Sequence, residues 1–249
     1  MAVREVESKY KGSIFGLVWS ILTPLSMLAV YTLVFMGIFG ARWPGIEQQG
    51  GFAFAIQVFA GLTIFNIFAE VLQRSPGLLS ENPNLIKKVV FPVETLVTIS
   101  MLASLFNFGI QFILLVIAMA IADQYLTANA LYIPLVMLPL LILSLGLALI
   151  LASIGIFIKD LRLIMGSIVS LLLFVSPVFF PIEMVKQPLA QFLMLNPIAT
   201  VITNFRGVLF ANYSVDWLVW SITLLISLAA LICGTWLFYR LRPGFSDVI

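Results

Sequence analysis

Histidine is absent from this chain, and cysteine occurs once, as Cys233 inside an apolar run. Zinc sites draw chiefly on those two residue types, so their scarcity argues against a metalloenzyme. Cys233 itself reads as a small buried hydrophobe. Charge is scarce too: Asp, Glu, Lys and Arg make up 10% of 249 residues, against about 25% in a soluble domain. The few charges avoid the middles of the apolar runs. Glu70 and Glu94 fall at run ends, and Asp123 falls in a short connection. Ion-driven carriers and enzymes working by acid–base chemistry within a bilayer keep ionisable groups inside their spans, so the chain is expected to be neither. The phosphate-binding pattern G-x-x-x-x-G-K-[ST] is missing, as is any sequence like a potassium filter. No energy source is visible, and active transport would need one on another subunit.

What the chain has in excess is apolar surface, with hydrophobic residues at 62%. No soluble fold hides that much, so the solvent is lipid, which only helices or closed barrels can span. Barrel strands alternate polar and apolar residues over about 10 positions, whereas these runs are continuous and longer. The fold class expected is therefore an all-α integral membrane protein. Windows free of charge cover 12–41, 48–69, 95–122, 124–158, 163–182, 187–205 and 217–239. Six are expected to be transmembrane helices, each long enough for the roughly 20 residues a span needs. The exception, QPLAQFLMLNPIATVITNF at 187–205, carries Pro188, Pro197, Asn196 and Asn204. A central proline breaks a helix, so this window is expected to be a broken, re-entrant or interfacial hairpin. With six spans, Arg4, Lys9, Lys11, Arg74, Lys87, Lys88, Lys159, Arg162, Arg240 and Arg242 lie inside, and Arg42, Lys186 and Arg206 outside. Ten against three obeys the positive-inside rule. A seventh crossing gives nine against four and obeys it too; the prolines and amides favour six.

The charged segments are few. Residues 1–14 place Val3, Val6, Tyr10 and Ile14 at helical spacing among Arg4, Glu5, Glu7, Ser8 and Lys11, the pattern of an amphipathic helix in the membrane interface. No small-residue cleavage site follows, so no signal peptide is expected. Between spans two and three, ENPNLIKKVVFPVE (81–94) holds two prolines, two lysines and an acid at each end. Asn82-Pro83 is a helix-start signal, and Phe91-Pro92 ends the helix, because the residue before proline leaves the α region. The segment reads either as a connection whose lysines anchor the inner side or as a short rigid docking helix. Phe174, Phe179 and Phe180 flank Pro177 and Pro181 near the outer end of span five. They either pack against neighbours and lipid or line a pathway. Trp19, Trp43, Trp217, Trp220 and Trp236 lie near span ends, as an interfacial belt would.

Four segments together resemble a known family: SKYKGSIFGLVWSILTPLSMLAVYTLVF (8–35), ENPNLIKKVVFPVE (81–94), IFIKDLR (156–162) and SPVFFPIEMV with LNPIATVITNFRGVLF (within 176–210). In order and spacing they are similar to the membrane (permease) subunit of type-2 ABC exporters for polysaccharides, closest to O-antigen and teichoic-acid permeases; capsule permeases share the plan. The resemblance implies a transport subunit and not an enzyme, a homodimer working with two copies of an ABC ATPase that bind ATP and Mg, and no cofactor on this chain. It implies a single permease domain over 1–249: an interface helix at 1–14, a coupling helix within 81–94 and re-entrant gate helices at about 185–212. ATPase coupling would rest on Asn82, Pro83, Asn84, Leu85, Lys87, Lys88, Phe91 and Pro92. The channel and gate would involve Phe174, Pro177, Phe179, Phe180, Pro181, Asn196 and Pro197. The substrate would be an undecaprenyl-diphosphate-linked polysaccharide. Its anionic head group would meet Arg4, Lys9 and Lys11 at the interface, residues that also suit plain inside anchoring. The expected setting is the bacterial inner membrane, multi-pass, with both termini cytoplasmic, lipid around it and no nucleic acid partner.

Overall fold

The computed structural model describes residues 15–34, 50–83, 92–124, 126–210 and 215–245. Among these described residues eight α-helices follow in order: α1 Trp19–Thr32, α2 Gly50–Arg74, α3 Thr95–Ile121, α4 Ile133–Gly155, α5 Leu161–Val175, α6 Leu189–Met194, α7 Pro197–Phe210 and α8 Trp217–Leu241. No strand occurs among the described residues, as the long apolar runs require. The expected helix at 1–14 lies outside the described residues.

Among the described residues four helical stretches are long and apolar enough to cross a bilayer: Gly51–Gly77, Thr95–Ile121, Ala128–Gly155 and Trp217–Gly244. At 27 or 28 residues each reaches about 40 Å, beyond the ~30 Å hydrocarbon core. Two expected spans are shorter helices. α1 covers 14 residues, Leu33 and Val34 continue it in wider π geometry, and 35–49 lie outside the described residues. α5 covers 15 residues, about 22 Å, where the sequence suggested one span over 163–182. The cause is local. Ser176 precedes Pro177, whose ring pushes it from the α region, and Ser176 sits at φ −101, ψ 145.

α2 is the centre of the molecule. Its span is 89% buried within the chain, against 22% for α3 and 17% for α8, so α2 is enclosed by its own chain while α3 and α8 turn most residues outward, among them Cys233, which the sequence suggested was buried and which is exposed. α1, α3, α4, α5 and α7 all pack on it. α4 and α8 form the closest pair. A Cβ on Gly146 would come within 2.6 Å of the Ala230 and Leu231 backbone, and one on Gly234 would collide with the Gly146 carbonyl. Lipid gives helices no hydrophobic reason to associate, so small residues that admit backbone contact hold such pairs. Hydroxyls inside the helices are satisfied locally: Thr63, Ser104, Ser144 and Ser227 donate to the carbonyl four residues back.

The loops gather at two ends. At one end Leu78, Leu79, Val93, Ile156 and Phe245 share a second core with Phe238, and the turn Ser75–Gly77 that leads into Leu78 is buried as well. At the other, the Thr127 hydroxyl donates to the Val208 carbonyl at 2.6 Å, and the Trp220 indole donates to the Leu135 carbonyl at 3.1 Å.

Candidate coupling and gate regions

The block 81–94 is described at its two ends only. Asn84, Leu85, Lys87, Lys88 and Phe91 lie outside the described residues, as do Arg4, Lys9 and Lys11. The base leading into the block is firm. Ser75, Pro76 and Gly77 are buried, and Pro76 packs so closely on Gly155 that a Cβ there would lie 2.6 Å from its Cα. Ser80 and Asn82 side chains donate to the Gly77 and Leu78 carbonyls at 3.0 and 2.8 Å, and Pro83 takes helical backbone. Asn82 thus ties off the preceding turn. On the exit side, the Thr95 hydroxyl donates to the Pro92 carbonyl at 2.6 Å, and Val93 is buried in the second core.

Both acids of the block are paired. Glu81 Oε1 lies 2.7 Å from Arg162 Nη2 at the start of α5. Glu94 Oε1 accepts from the Tyr239 hydroxyl at 3.2 Å, and its Oε2 lies 3.6 Å from Arg242 Nη1. Arg242 Cζ sits 5.9 Å from the centre of the Tyr239 ring, within cation–π range. The sequence reading marked these acids and basic residues by side alone and assigned no pairs.

The proline-rich turn after α5 is organised by a residue the sequence reading treated only as an outer positive charge. Arg206, on α7, is 8% exposed. Its Nη1 donates to the Pro177 carbonyl at 2.5 Å, Nη2 to the Val178 carbonyl at 2.6 Å and Nε to the Gln57 carbonyl at 3.0 Å. The turn has left the helix and would otherwise bury unsatisfied carbonyls; the planar guanidinium fork meets two of them together. Gly61, one turn beyond Gln57 on α2, admits the guanidinium, since any Cβ there would collide with Nη2. An arginine amid the apolar residues of 197–210, with a glycine on another apolar helix, was the available signal.

The expected gate residues divide into two groups. Pro177 and Pro181 are buried and shape the turn without lining open space. Phe174 is 70% exposed; Phe179 and Phe180 are half-buried. Phe179 stands 6.2 Å from Phe174 and 5.9 Å from Tyr31 of α1, so α1 joins this aromatic group. Asn196 and Pro197 break the 187–205 window as expected. Asn196 Oδ1 accepts from the Ile198 amide at 3.0 Å, starting α7, and its Nδ2 donates to the Ser176 hydroxyl at 3.1 Å. Between α7 and the start of α8 lies a cavity of about 120 Å³, bordered by Ile182, Met194, Thr200, Thr203, Asn204 and Asp216.

One polar ladder ties α2 to α3. Asn66 and Glu70, a turn apart on α2, face Gln111 and Asn107, a turn apart on α3. Asn66 Nδ2 donates to Gln111 Oε1 at 2.9 Å, and Asn107 Nδ2 to both Glu70 oxygens at 2.9 and 3.0 Å. Asn107 is near the midpoint of Thr95–Ile121, so Glu70, one turn before the end of α2, lies beside the middle of α3. A window cut at the first charge makes that charge an end by construction, whereas α2 runs on to Arg74.

An apolar chain that is helical among its described residues and lacks the G-x-x-x-x-G-K-[ST] pattern, with a block whose two acids are paired and a broken helical hairpin, is the outline of an exporter's membrane subunit. Residues 1–210 match the ABC-2 type transporter family, and the chain belongs to that family. Among curated relatives, it is similar to the O-antigen export system permease protein RfbA of Myxococcus xanthus, 27% identical over 99% of this chain and 92% of that protein. Two RfbA proteins of Klebsiella pneumoniae are 22% and 21% identical over the same shares.

Proposed function

We propose that this chain is the permease subunit of an ATP-driven exporter that moves a lipid-linked polysaccharide of O-antigen type from the cytoplasmic side across the bacterial inner membrane. The observation that carries the reading is its full-length likeness to three O-antigen export permeases within the ABC-2 family. ATP hydrolysis belongs to a separate ABC ATPase, which binds ATP and Mg. On this reading two copies of the chain work with two ATPases. α1 and α5, extended by their flanking residues, complete six spans, and both termini are cytoplasmic. The end with Arg74, Lys159, Arg162, Arg240 and Arg242 then faces the cytoplasm, in keeping with the positive-inside rule. Residues 81–94 dock on the ATPase. Arg4, Lys9 and Lys11 meet the undecaprenyl diphosphate at the inner leaflet.

The glycan passes the aromatic group of Phe174, Phe179 and Phe180, whose flat faces suit sugar rings. The α6–α7 hairpin, within 185–212, forms the outer gate. Asn196 satisfies the Ile198 amide at the break of this hairpin, and Arg206 on α7 satisfies the Pro177 and Val178 carbonyls of the turn before it, so that irregular backbone is tolerable at membrane depth. The test is complementation of a strain lacking its O-antigen permease, with surface glycan as readout and the partner ATPase tagged for pull-down. Export is expected only with both subunits. Leu85→Asp and Phe91→Asp are expected to lose the ATPase and the export together. Glycan export without the ATPase, or by both variants at parental level, would refute the reading.

A further inference from the structure

The two acids that bound the 81–94 block are tied to different helices, and those helices are held very differently. Glu94 reaches α8 through the Tyr239 hydroxyl and the following Arg242. α8 is locked to α4 by backbone contact at Gly146 and Gly234. Its Phe238 is fully buried, 5.4 Å from the Phe245 ring. Glu94 therefore ends on the most closely packed helix pair among the described residues.

Glu81 reaches Arg162, in the first turn of α5. α5 buries only Met165 and Val169 among its residues, so little of its own chain restrains it. Gly77 leaves room for the pair, since a Cβ there would stand 3.0 Å from Glu81 Oε1 and 3.5 Å from Arg162 Cζ. At its far end α5 runs into Ser176, Pro177 and Val178, which Asn196 and Arg206 grip from the hairpin. α5 is thus a single rod with one end on the docking block and the other on the hairpin.

We propose that the two links have unequal roles: Glu94, with Tyr239 and Arg242, is the fixed pivot of the docking block, and the Glu81–Arg162 pair is the moving link that passes displacement of the block into α5. Both side chains of that pair are about half-exposed, 45% for Glu81 and 60% for Arg162. Such pairs add little stability, so the pair serves transmission and not folding. The proposal rests on the docking reading of 81–94, and the two fail in distinguishable ways.

The experiment uses the whole chain with its partner ATPase, in the permease-deficient strain and as the purified complex. The variants are Glu81→Arg, Arg162→Glu and the swap Glu81→Arg/Arg162→Glu. Each single variant is expected to cut surface glycan about fivefold or more, the scale of a typical coupling between sites. Protein level, thermal stability and ATPase co-purification stay at parental values. The swap is expected to restore at least half of the parental export. Parental export in both single variants overturns the link. So does a swap as poor as the single variants, or loss of the ATPase in either, which would assign these residues to docking itself. If Phe91→Asp keeps both ATPase and export, the docking reading falls instead.

Discussion

Replacing Arg206 by methionine keeps most of the stem's volume and removes the guanidinium. Three carbonyls lose a donor, but the Gln57 carbonyl lies inside α2 and keeps its helical partner. The Pro177 and Val178 carbonyls lie outside any helix, in buried residues. Leaving a buried acceptor unpaired costs about 1–3 kcal/mol, so two cost about 2–6 kcal/mol. No longer burying a guanidinium offsets part of this, leaving a loss of about 3 kcal/mol. At about 2–4 °C per kcal/mol for a chain of this size, the purified protein should melt about 6–12 °C lower, followed by tryptophan fluorescence in detergent. Gly61→Ala drives a methyl into the same guanidinium and should shift the melting point in the same direction. Because both changes break one contact, the double variant should fall little below the worse single. Arg206→Lys, a point donor in place of a fork, should be intermediate. A fall of less than about 2 °C for Arg206→Met, or full additivity with Gly61→Ala, would refute the assignment of Arg206 as the tie of this turn.

Gly234→Val should push α8 off the Gly146 carbonyl and sharply lower the yield of monodisperse protein. Gly166→Ala on α5, where a Cβ meets nothing within 4 Å, should leave the yield unchanged. Glu70→Leu strips the Asn107 amide of its acceptors and should cost about 1–3 kcal/mol in a melting experiment. Adding Asn107→Leu should recover most of that loss, since removing both partners is far less costly than orphaning one. Asp216 Oδ1 accepts from the Leu218 and Val219 amides at 3.1 Å each. Asp216→Ala should therefore cost about 1 kcal/mol and speed amide exchange at those two residues.

Composition alone was enough to read the helical membrane class, because no other fold keeps such long apolar runs satisfied in lipid. The break at Asn196-Pro197 was legible for the same reason: a proline's missing donor acts locally, and local rules survive folding. Pro177 acts locally as well: it turns Ser176 out of the helix and ends α5 inside the charge-free window 163–182, which hydropathy alone does not divide. Partnerships between distant residues were the harder part. Arg206 looked like a loop cation until the turn at 177–178 and Gly61 closed round it, and nothing in its own neighbourhood announces contacts 28 and 149 residues away. Glu70 looked terminal because hydropathy windows end at charges, while the offset between α2 and α3 that sets its level is fixed by packing. Arg162 and Arg242 stood out as charges at the ends of apolar runs, but their pairing with the two acids of one block depends on where α5 begins and α8 ends.

Phe245 is fully buried beside Phe238 and 6.1 Å from the Phe157 ring, in the same core as Leu78 and Leu79. During synthesis it leaves the ribosome long after Leu79, about 166 residues later, which is tens of seconds at bacterial elongation rates near the slow limit of about 5 residues per second. The packed end from which residues 81–94 depart therefore stays unfinished until α8 has been made. Biogenesis gains an order from this: a truncated or stalled chain presents an incomplete core there, and only a chain translated through Phe245 closes it.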